Sequence, residues 1–286
     1  MSNSIADTSF IAETKCELLN TYEILEHVMG MKGLHPHCIE SINKLRSRLA
    51  RHVEQNISHS SGVVLDIGCG SGAGTADLAR LIPSIRVIGL DINRSAIETG
   101  SMEHAAVPNL EFFAGDLDTY MQENPDNRII GIMCVSVSMF INDIEGFYRK
   151  IYNALDNQGI FIDAPFMFKD DTAMPDESFR NATYSMCGCN MEMFRISQLK
   201  NKIQLAGFKS IDSLENGFEL MNMSKLFRDY SPVYLFSNFF RNTFSPPSDL
   251  KSSSSWYILQ RTIRIFYFFF RNRHKYGSGE LVAIKS

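Results

Sequence analysis

The spacing of hydrophobic residues changes near residue 62 of the chain. Before this point apolar residues recur every three or four positions, as at Ile42, Leu45 and Leu49, which predicts helices. After it, short apolar runs alternate with helical patterns. Alternation of this kind is typical of a parallel sheet that carries helices on both faces.

Seven strands are predicted from the apolar runs. The run over 129–137 is the longest and predicts a central strand that is covered on both sides. The sequence therefore predicts an α/β fold with a doubly wound, seven-stranded, mainly parallel sheet. The predicted strands lie at 63–67, 85–91, 110–113, 129–137, 159–162, 208–211 and 280–284.

Two stretches interrupt the alternation of strands and helices. They lie at about 164–194 and 214–278, and loops of that length usually carry function or structure of their own. We expect them to be inserted lids. The predicted organisation is an N-terminal helical cap over 1–60 and a catalytic domain with these insertions over 61–286.

A glycine-rich loop joins the first strand to the helix that follows it. Its sequence is Asp66-Ile-Gly68-Cys69-Gly70-Ser-Gly72. Glycines allow sharp turns and a close approach of backbone to ligand, and the following helix start offers free N–H groups. The glycine spacing alone also fits a dinucleotide loop, so it does not decide the cofactor.

Three acidic residues narrow the choice of ligand. Asp66 precedes the glycines, where it would repel a pyrophosphate but would suit a ligand with an ammonium group. Asp91 ends the second predicted strand, where a carboxylate can bind both hydroxyls of a ribose. Asp116 follows the third strand and could accept a hydrogen bond from an adenine amino group.

Together these segments resemble the class I S-adenosylmethionine-dependent methyltransferases. The resemblance covers about residues 60–213 and the last strand. It implies S-adenosylmethionine as the cofactor and methyl transfer to a small organic acceptor. The matching segments, in family order, are the loop at 66–72, the acid at 91, Gly-Asp-Leu at 115–117, Asn-Gln-Gly at 157–159 and Leu-Ala-Gly-Phe at 205–208.

The resemblance also implies which residues contact the cofactor. The glycine loop would face the methionine part, Asp91 the ribose and Asp116 the adenine, and the end of the fourth strand would run beneath the sulfonium. Tyr22 could reach the cofactor carboxylate, although core packing is the commoner fate of such an aromatic residue. The predicted cofactor residues are Tyr22, Asp66, Gly68, Cys69, Gly70, Gly72, Asp91, Ile92, Asp116, Leu117, Cys134, Val135 and Ser136.

A general base is harder to predict. Many relatives carry a histidine shortly after the fourth strand, but this chain has Met139 and Phe140 there. His35 and His37, between the two N-terminal helices, are the candidate catalytic residues, and a surface turn is an equal alternative for them. Asp143 is a less favoured candidate, and the sequence does not choose among the three.

Other functions stay open at this stage. The chain could be an NAD(P)-dependent oxidoreductase, or a relative that uses the cofactor for non-methylation chemistry or only binds it. Cys187 and Cys189 have no second cysteine pair, so we predict no metal site. The net charge of −4 and the lack of an Asn/Asp-Pro-Pro-Tyr motif argue against nucleic-acid acceptors.

A basic aromatic segment at 256–275 departs from the overall charge. Residues 251–276 contain six Lys or Arg and no Asp or Glu. The segment could lie on an anionic membrane, pack its aromatic residues on the core, or wall the acceptor pocket. The Phe- and Met-rich insertions suit an apolar or amphiphilic acceptor such as a polyketide, a quinone or a lipid intermediate.

The compartment is predicted from the N-terminus and the cysteines. Residues 1–10 have neither a basic start nor an apolar run, which is unlike a signal peptide, and six cysteines are few for a disulfide framework. We therefore expect a cytoplasmic protein, peripheral to a membrane if the basic segment binds one. The oligomeric state is not predicted.

Overall fold

In the computed structural model, helices flank a mainly parallel sheet. The structure describes residues 24–31, 37–56, 62–187, 191–245 and 254–286. The sheet confirms the α/β, doubly wound fold that the sequence predicts. Its strands are β1 (Gly62–Ile67), β2 (Arg86–Asp91), β3 (Leu110–Ala114), β4 (Arg128–Val135), β5 (Leu155–Ala164), β6 (Phe166–Phe168), β7 (Ser210–Gly217) and β8 (Tyr276–Ile284).

The strand order places the ends of four strands side by side. The order is β3-β2-β1-β4-β5-β8-β6, and β7 pairs with β8 along its other edge. Strands β1 to β5 pair in parallel, whereas β8 is antiparallel to each of its neighbours. The carboxyl ends of β1 to β4 therefore meet at one edge of the sheet.

One strand more than the seven predicted is present among the described residues. Pro165 separates β5 from β6, and proline has no N–H to donate to a neighbouring strand. Both strands pair with β8, with Asp163 opposite Leu281 and Phe166 opposite Ser278. Strand β6 thus continues β5 along the same edge of β8.

Helices cover both faces of the sheet. A short π-helical turn (Ile24–Val28) precedes them. The α-helices are α1 (Ile39–Asn56), α2 (Ala73–Leu81), α3 (Arg94–Glu103), α4 (Leu117–Glu123), α5 (Ile144–Ala154), α6 (Glu177–Cys187), α7 (Ile196–Leu205), α8 (Met223–Asp229), α9 (Pro232–Phe244) and α10 (Ser255–Asn272). No helix in the described ranges is both long enough and apolar enough to cross a membrane.

Two apolar clusters form the core. One lies under α4, α5 and α7, with Tyr148 and Leu199 fully buried against the sheet. The other lies under α1 and α2, where Leu49 and Leu78 pack on the strands. Helix α1 thus belongs to the packing of the sheet itself, while the division into a cap and a catalytic domain stays a prediction.

A third cluster is built from the two insertions. It contains Phe166 and Phe168 of β6 together with Phe218, Phe269 and Tyr276. The rings pack closely: Phe166 and Tyr276 stack with centroids 5.1 Å apart, and Phe218 and Phe269 meet edge to face at 5.7 Å. Much of the phenylalanine content of the chain therefore serves to pack the insertions onto β6 and β8.

A buried carboxyl group lies near the end of β5. Asp163 is fully buried, and its carboxyl accepts hydrogen bonds from Tyr148 Oη at 2.5 Å and from Ser138 Oγ at 3.2 Å. Burial raises the pKa of Asp163 to about 7, because it outweighs the two hydrogen bonds that favour the charged form. The folded protein therefore holds a proton on Asp163 at mildly acidic pH.

This proton predicts a pH dependence of stability. The pKa of Asp163 is raised from 3.8 to about 7 on folding, so the stability due to this group is complete below pH 4 and falls as the pH rises towards 7. Between pH 5 and pH 8 the wild type should lose about 2–3 kcal/mol of unfolding free energy that Asp163→Asn does not lose. Urea unfolding of both proteins measures this, and parallel pH curves would contradict it.

Candidate functional site

The glycine loop adopts backbone conformations that other residues disfavour. Gly68, Gly70 and Gly72 have φ values of 71°, 56° and 78°, all in the left-handed region. The N–H groups of Gly68 and Cys69 both donate to Leu90 O, at 2.7 and 3.0 Å. The loop is thereby fixed against the carboxyl end of β2.

The three glycines meet different surroundings. A Cβ on Gly72 would overlap the Phe112 ring, and a Cβ on Gly68 would overlap Val137. A Cβ on Gly70 would meet no atom within 4 Å among the described residues. Gly68 and Gly72 are therefore needed for packing, whereas Gly70 borders open space that a ligand could occupy.

Asp91 links the loop to the end of β2. Its Oδ2 accepts from the Gly70 N–H at 2.8 Å, and its Oδ1 accepts from the Asn93 N–H, also at 2.8 Å. Each carboxylate oxygen can accept a further hydrogen bond. Ile92 beside it is 60% exposed and offers an apolar surface next to this acid.

Asp66 lies behind the loop and is buried. Its Oδ2 accepts a hydrogen bond from Thr75 Oγ1 at 2.7 Å. Burial raises the pKa of Asp66, while Thr75 and the nearby Arg46 act in the opposite direction. The described contacts of this carboxyl therefore connect β1 to the start of α2.

Arg46 is a residue that the sequence reasoning missed. It is a buried cation on α1, and its guanidinium occupies the place that a Cβ on Gly74 would take. It also lies 3.6 Å from Asp77 Oδ2. The available signal was a charged residue beside the apolar stripe of α1 together with a glycine in the first turn of α2.

Asp116 follows β3 and caps helix α4. Its Oδ1 accepts from the Thr119 N–H at 2.8 Å and from Thr119 Oγ1 at 2.7 Å. Burial alone would raise the pKa of Asp116, but the bonds from Thr119 outweigh it and hold the pKa below its usual value. The Leu117 side chain lies in the core, so only its backbone is available to a ligand.

The end of β4 turns sharply at Ser136. This residue has φ 58°, which is unusual for a side chain other than glycine, and its N–H donates to Ala164 O at 2.9 Å. Its Oγ is buried and has no hydrogen-bond partner among the described residues. Cys134 is fully buried in the core, and Val135 is partly buried.

These residues meet at one edge of the sheet. Val137 packs against Gly68, the Gly70 N–H binds Asp91, and the Gly115 N–H donates to Asp91 O at 2.9 Å. Ligands of doubly wound sheets bind outside the carboxyl ends of the strands, at the point where the strand order reverses. In this sheet that point lies between β1 and β4.

A family model described as a methyltransferase domain matches residues 64–159, which hold the glycine loop, Asp91, Asp116 and Ser136. The match covers about a third of the chain and supports the class I methyltransferase fold that the sequence predicts. The matched segment runs from β1 to β5 and confirms the family resemblance that the glycine loop and its acids predict.

Two curated relatives are similar to part of the chain. A sterol 24-C-methyltransferase of Aspergillus fumigatus is 31% identical over 122 residues, which cover 40% of this chain and 31% of the relative. A malonyl-[acyl-carrier protein] O-methyltransferase of Ilyobacter polytropus is 27% identical over 96 residues, 34% of this chain and 35% of the relative. The chain thus spans about a third of the length of these relatives.

Solved structures have folds similar to that of this chain. A methyltransferase of Thiobacillus denitrificans, in complex with S-adenosyl-L-homocysteine, is similar with a TM-score of 0.64. The identity is 16%, and the match covers 94% of this chain and 100% of that one. The likeness shows that the overall fold of this chain is that of a known structure.

His37 is the candidate base that the structure describes. It is buried, and its Nε2 lies 2.9 Å from Gly279 O on β8. A carbonyl oxygen only accepts, so Nε2 carries the proton of the neutral ring and Nδ1 is its basic atom. Burial lowers the pKa of His37, because it outweighs the bond to Gly279 and the charge of Glu219.

The remaining candidate residues lie outside the described ranges or have structural contacts. His35 and Tyr22 lie outside the described residues, as does the segment 188–190 with Cys189. Asp143 caps α5 through a bond from the Gly146 N–H at 2.9 Å. Burial raises the pKa of the Cys69 thiol well above its usual range, so this cysteine is a poor nucleophile.

The glycine loop yields a prediction with an internal control. In Gly72→Ala the new residue is strained by the positive φ and its Cβ overlaps the Phe112 ring. In Gly70→Ala it is strained by the positive φ alone. We expect about 1–2 kcal/mol of destabilisation for Gly70→Ala and at least about 2 kcal/mol more for Gly72→Ala. Chemical unfolding of both variants measures the difference, and equal losses would refute the assigned packing.

Proposed function

We propose that the chain binds S-adenosylmethionine and transfers its methyl group to a small apolar or amphiphilic acceptor. The observation that carries this proposal is the combination of Gly70, bordering open space, with the carboxylate of Asp91 directly beside it. A sulfonium nucleoside has a ribose for the acid and an amino-acid part for the loop. The relatives named above act on a sterol and on a malonyl thioester, which fits this reaction class.

The residues present fit the cofactor by three features. Gly70 lacks the Cβ that would fill the space at the loop. Ser136 has a buried hydroxyl that finds no partner among the described residues, so it can bind a ligand group. Ile92 exposes an apolar side chain next to Asp91, where an adenine ring could pack.

We assign the parts of the cofactor accordingly. Asp91 would bind the ribose hydroxyls, and the glycine loop would bind the methionine part. The adenine would contact Ile92, the Asp116 carboxylate and the backbone of Leu117. Asp66 and Arg46 lie behind the loop, and each opposes the shift that burial causes in the pKa of the other. Tyr22 stays a proposed contact to the cofactor carboxylate.

Methyl transfer from this cofactor needs little chemical assistance from the protein. S-adenosylmethionine supplies a methyl group on a positively charged sulfur, which is already activated for transfer. The chain has to orient the acceptor and exclude water, which is catalysis by proximity and desolvation. We place the methyl transfer beside Ser136, which adopts a left-handed conformation at the end of β4.

The side of the site that follows Ser136 borders an apolar cluster. Met139 follows Ser136 by three residues and is buried in the aromatic cluster with Ile24, Phe166 and Phe218. A hydrocarbon part of a substrate would therefore find apolar partners on this side. If the acceptor atom is an oxygen or an acidic carbon, we propose His37 or His35 as the base, because a histidine neutral at pH 7 can take up a proton.

Replacing Asp91 tests the cofactor assignment. We expect Asp91→Asn to weaken binding of S-adenosylhomocysteine by tenfold to about 100-fold, because hydrogen bonds to a charged group are worth about 1.5–3 kcal/mol. Isothermal titration calorimetry measures the affinity, and Asp126→Asn, on the exposed turn before β4, is the control. An unchanged affinity would show that the ribose is placed wrongly, and binding of NADH in place of S-adenosylhomocysteine would favour an oxidoreductase.

A panel of acceptors tests the substrate class. The protein is incubated with S-adenosylmethionine and, in separate reactions, a sterol, a demethylated quinone, a malonyl thioester and a short peptide. We expect S-adenosylhomocysteine to form with one of the first two, because an apolar cluster borders the site after Ser136. Turnover with the peptide alone would contradict an apolar acceptor.

A further inference from the structure

Helix α10 exposes large apolar side chains to solvent. Trp256, Ile263, Tyr267 and Phe270 are exposed at 65%, 58%, 61% and 48%. At 100° per residue these four positions fall within an arc of about 60° on the helix. They form a single aromatic stripe along its outer face.

The opposite face of α10 is also apolar. Ile258, Ile265 and Phe269 are buried in the aromatic cluster that holds Met139. A helix with one apolar face can bury that face in the core of its own protein and expose polar residues on the other face. The outer stripe is therefore not explained by the packing of this helix.

Helix α9 repeats this arrangement. Val233, Phe236, Phe240 and Phe244 are exposed and lie on one side of the helix, and the rings of Phe240 and Phe244 stack at 6.4 Å. Helices α9 and α10 contact each other. The two stripes together are called the aromatic surface below.

Basic residues border the aromatic surface. Arg264, Arg271 and Arg273 are exposed on α10 or directly after it, and within the described ranges no ion pair involves them. Arg271 Nη1 instead donates to Tyr267 Oη at 2.9 Å, and the Arg273 guanidinium lies 4.2 Å from the centre of the Phe270 ring. Aromatic and cationic groups are thus paired at the surface.

We propose that α9 and α10 form a docking surface for an anionic lipid bilayer. Aromatic rings prefer the headgroup region of a membrane, and arginines beside them can bind lipid phosphates. A second copy of the chain fits less well, because its arginines would face these arginines. Nucleic acid fits less well too, because Val233 and Ile263 offer no ring on which a base can stack.

The position of this surface agrees with an apolar acceptor. Helix α10 has the membrane-docking stripe on one face and the cluster with Met139 on the other. A bilayer on the outer face would lie on the same side of the protein as the insertions. Docking to a bilayer uses no property of the glycine loop. A test of docking is therefore independent of a test of the proposed methyl transfer.

The single tryptophan of the chain reports on docking directly. Trp256 lies in the outer stripe of α10 and is largely exposed. Vesicles of phosphatidylcholine with phosphatidylserine should shift its emission to shorter wavelength and should pellet the protein. Vesicles of phosphatidylcholine alone should do neither at physiological salt.

Two sets of variants separate charge from aromatic contact. Arg264→Gln with Arg271→Gln should weaken binding to the anionic vesicles by roughly 30-fold, since each such charge is worth about fivefold. Phe240→Ser with Tyr267→Ser should weaken it at least tenfold. Arg149→Gln and Met102→Ser, exposed on α5 and α3, are the matched controls and should bind as the wild type does.

Three results would overturn the proposal. The first is no emission shift and no pelleting with the anionic vesicles. The second is equal binding to vesicles of phosphatidylcholine alone, which would remove the role of charge. The third is an emission shift that depends on protein concentration without lipid, which would assign the surface to self-association. Circular dichroism of each variant confirms that the fold is kept.

Discussion

The site depends on how the glycine loop is held at the end of strand β2. The carbonyl of Leu90 accepts two backbone N–H groups of the loop, and the carboxylate of Asp91 accepts a third. These bonds are available only because β2 lies beside β1 in the sheet. The pairing of the two strands therefore sets the distance between the open space at Gly70 and the acid that we assign to the ribose.

Two ionisable side chains are buried behind the same loop. Asp66 and Arg46 are both largely buried, and burial shifts the pKa of each towards its neutral form, which each partner opposes in the other. Thr75 adds a direct hydrogen bond to Asp66. Helix α1 thus contributes to the site through a cation, in addition to its apolar packing on the sheet.

Helix α10, in the second insertion, carries apolar residues on two opposite faces. The inner face of α10 completes the cluster around Tyr276, while its outer face carries Trp256 and Tyr267 in solvent. A protein that only needed to cover its core would place polar residues on that outer face. Lipid docking and an apolar acceptor would explain the two faces together.

The sequence by itself determined the alternating fold, the glycine loop and the acids after β2 and β3. These are local features, because hydrophobic period and positive-φ glycines are read within a few residues. Only the tertiary structure placed Arg46 beside Gly74, since that contact joins two separate helices. It also decided that Cys134 points into the core and which face of α10 meets solvent. The pattern could not choose that face, because α10 is apolar on both sides and only packing against β6 and β8 buries one of them.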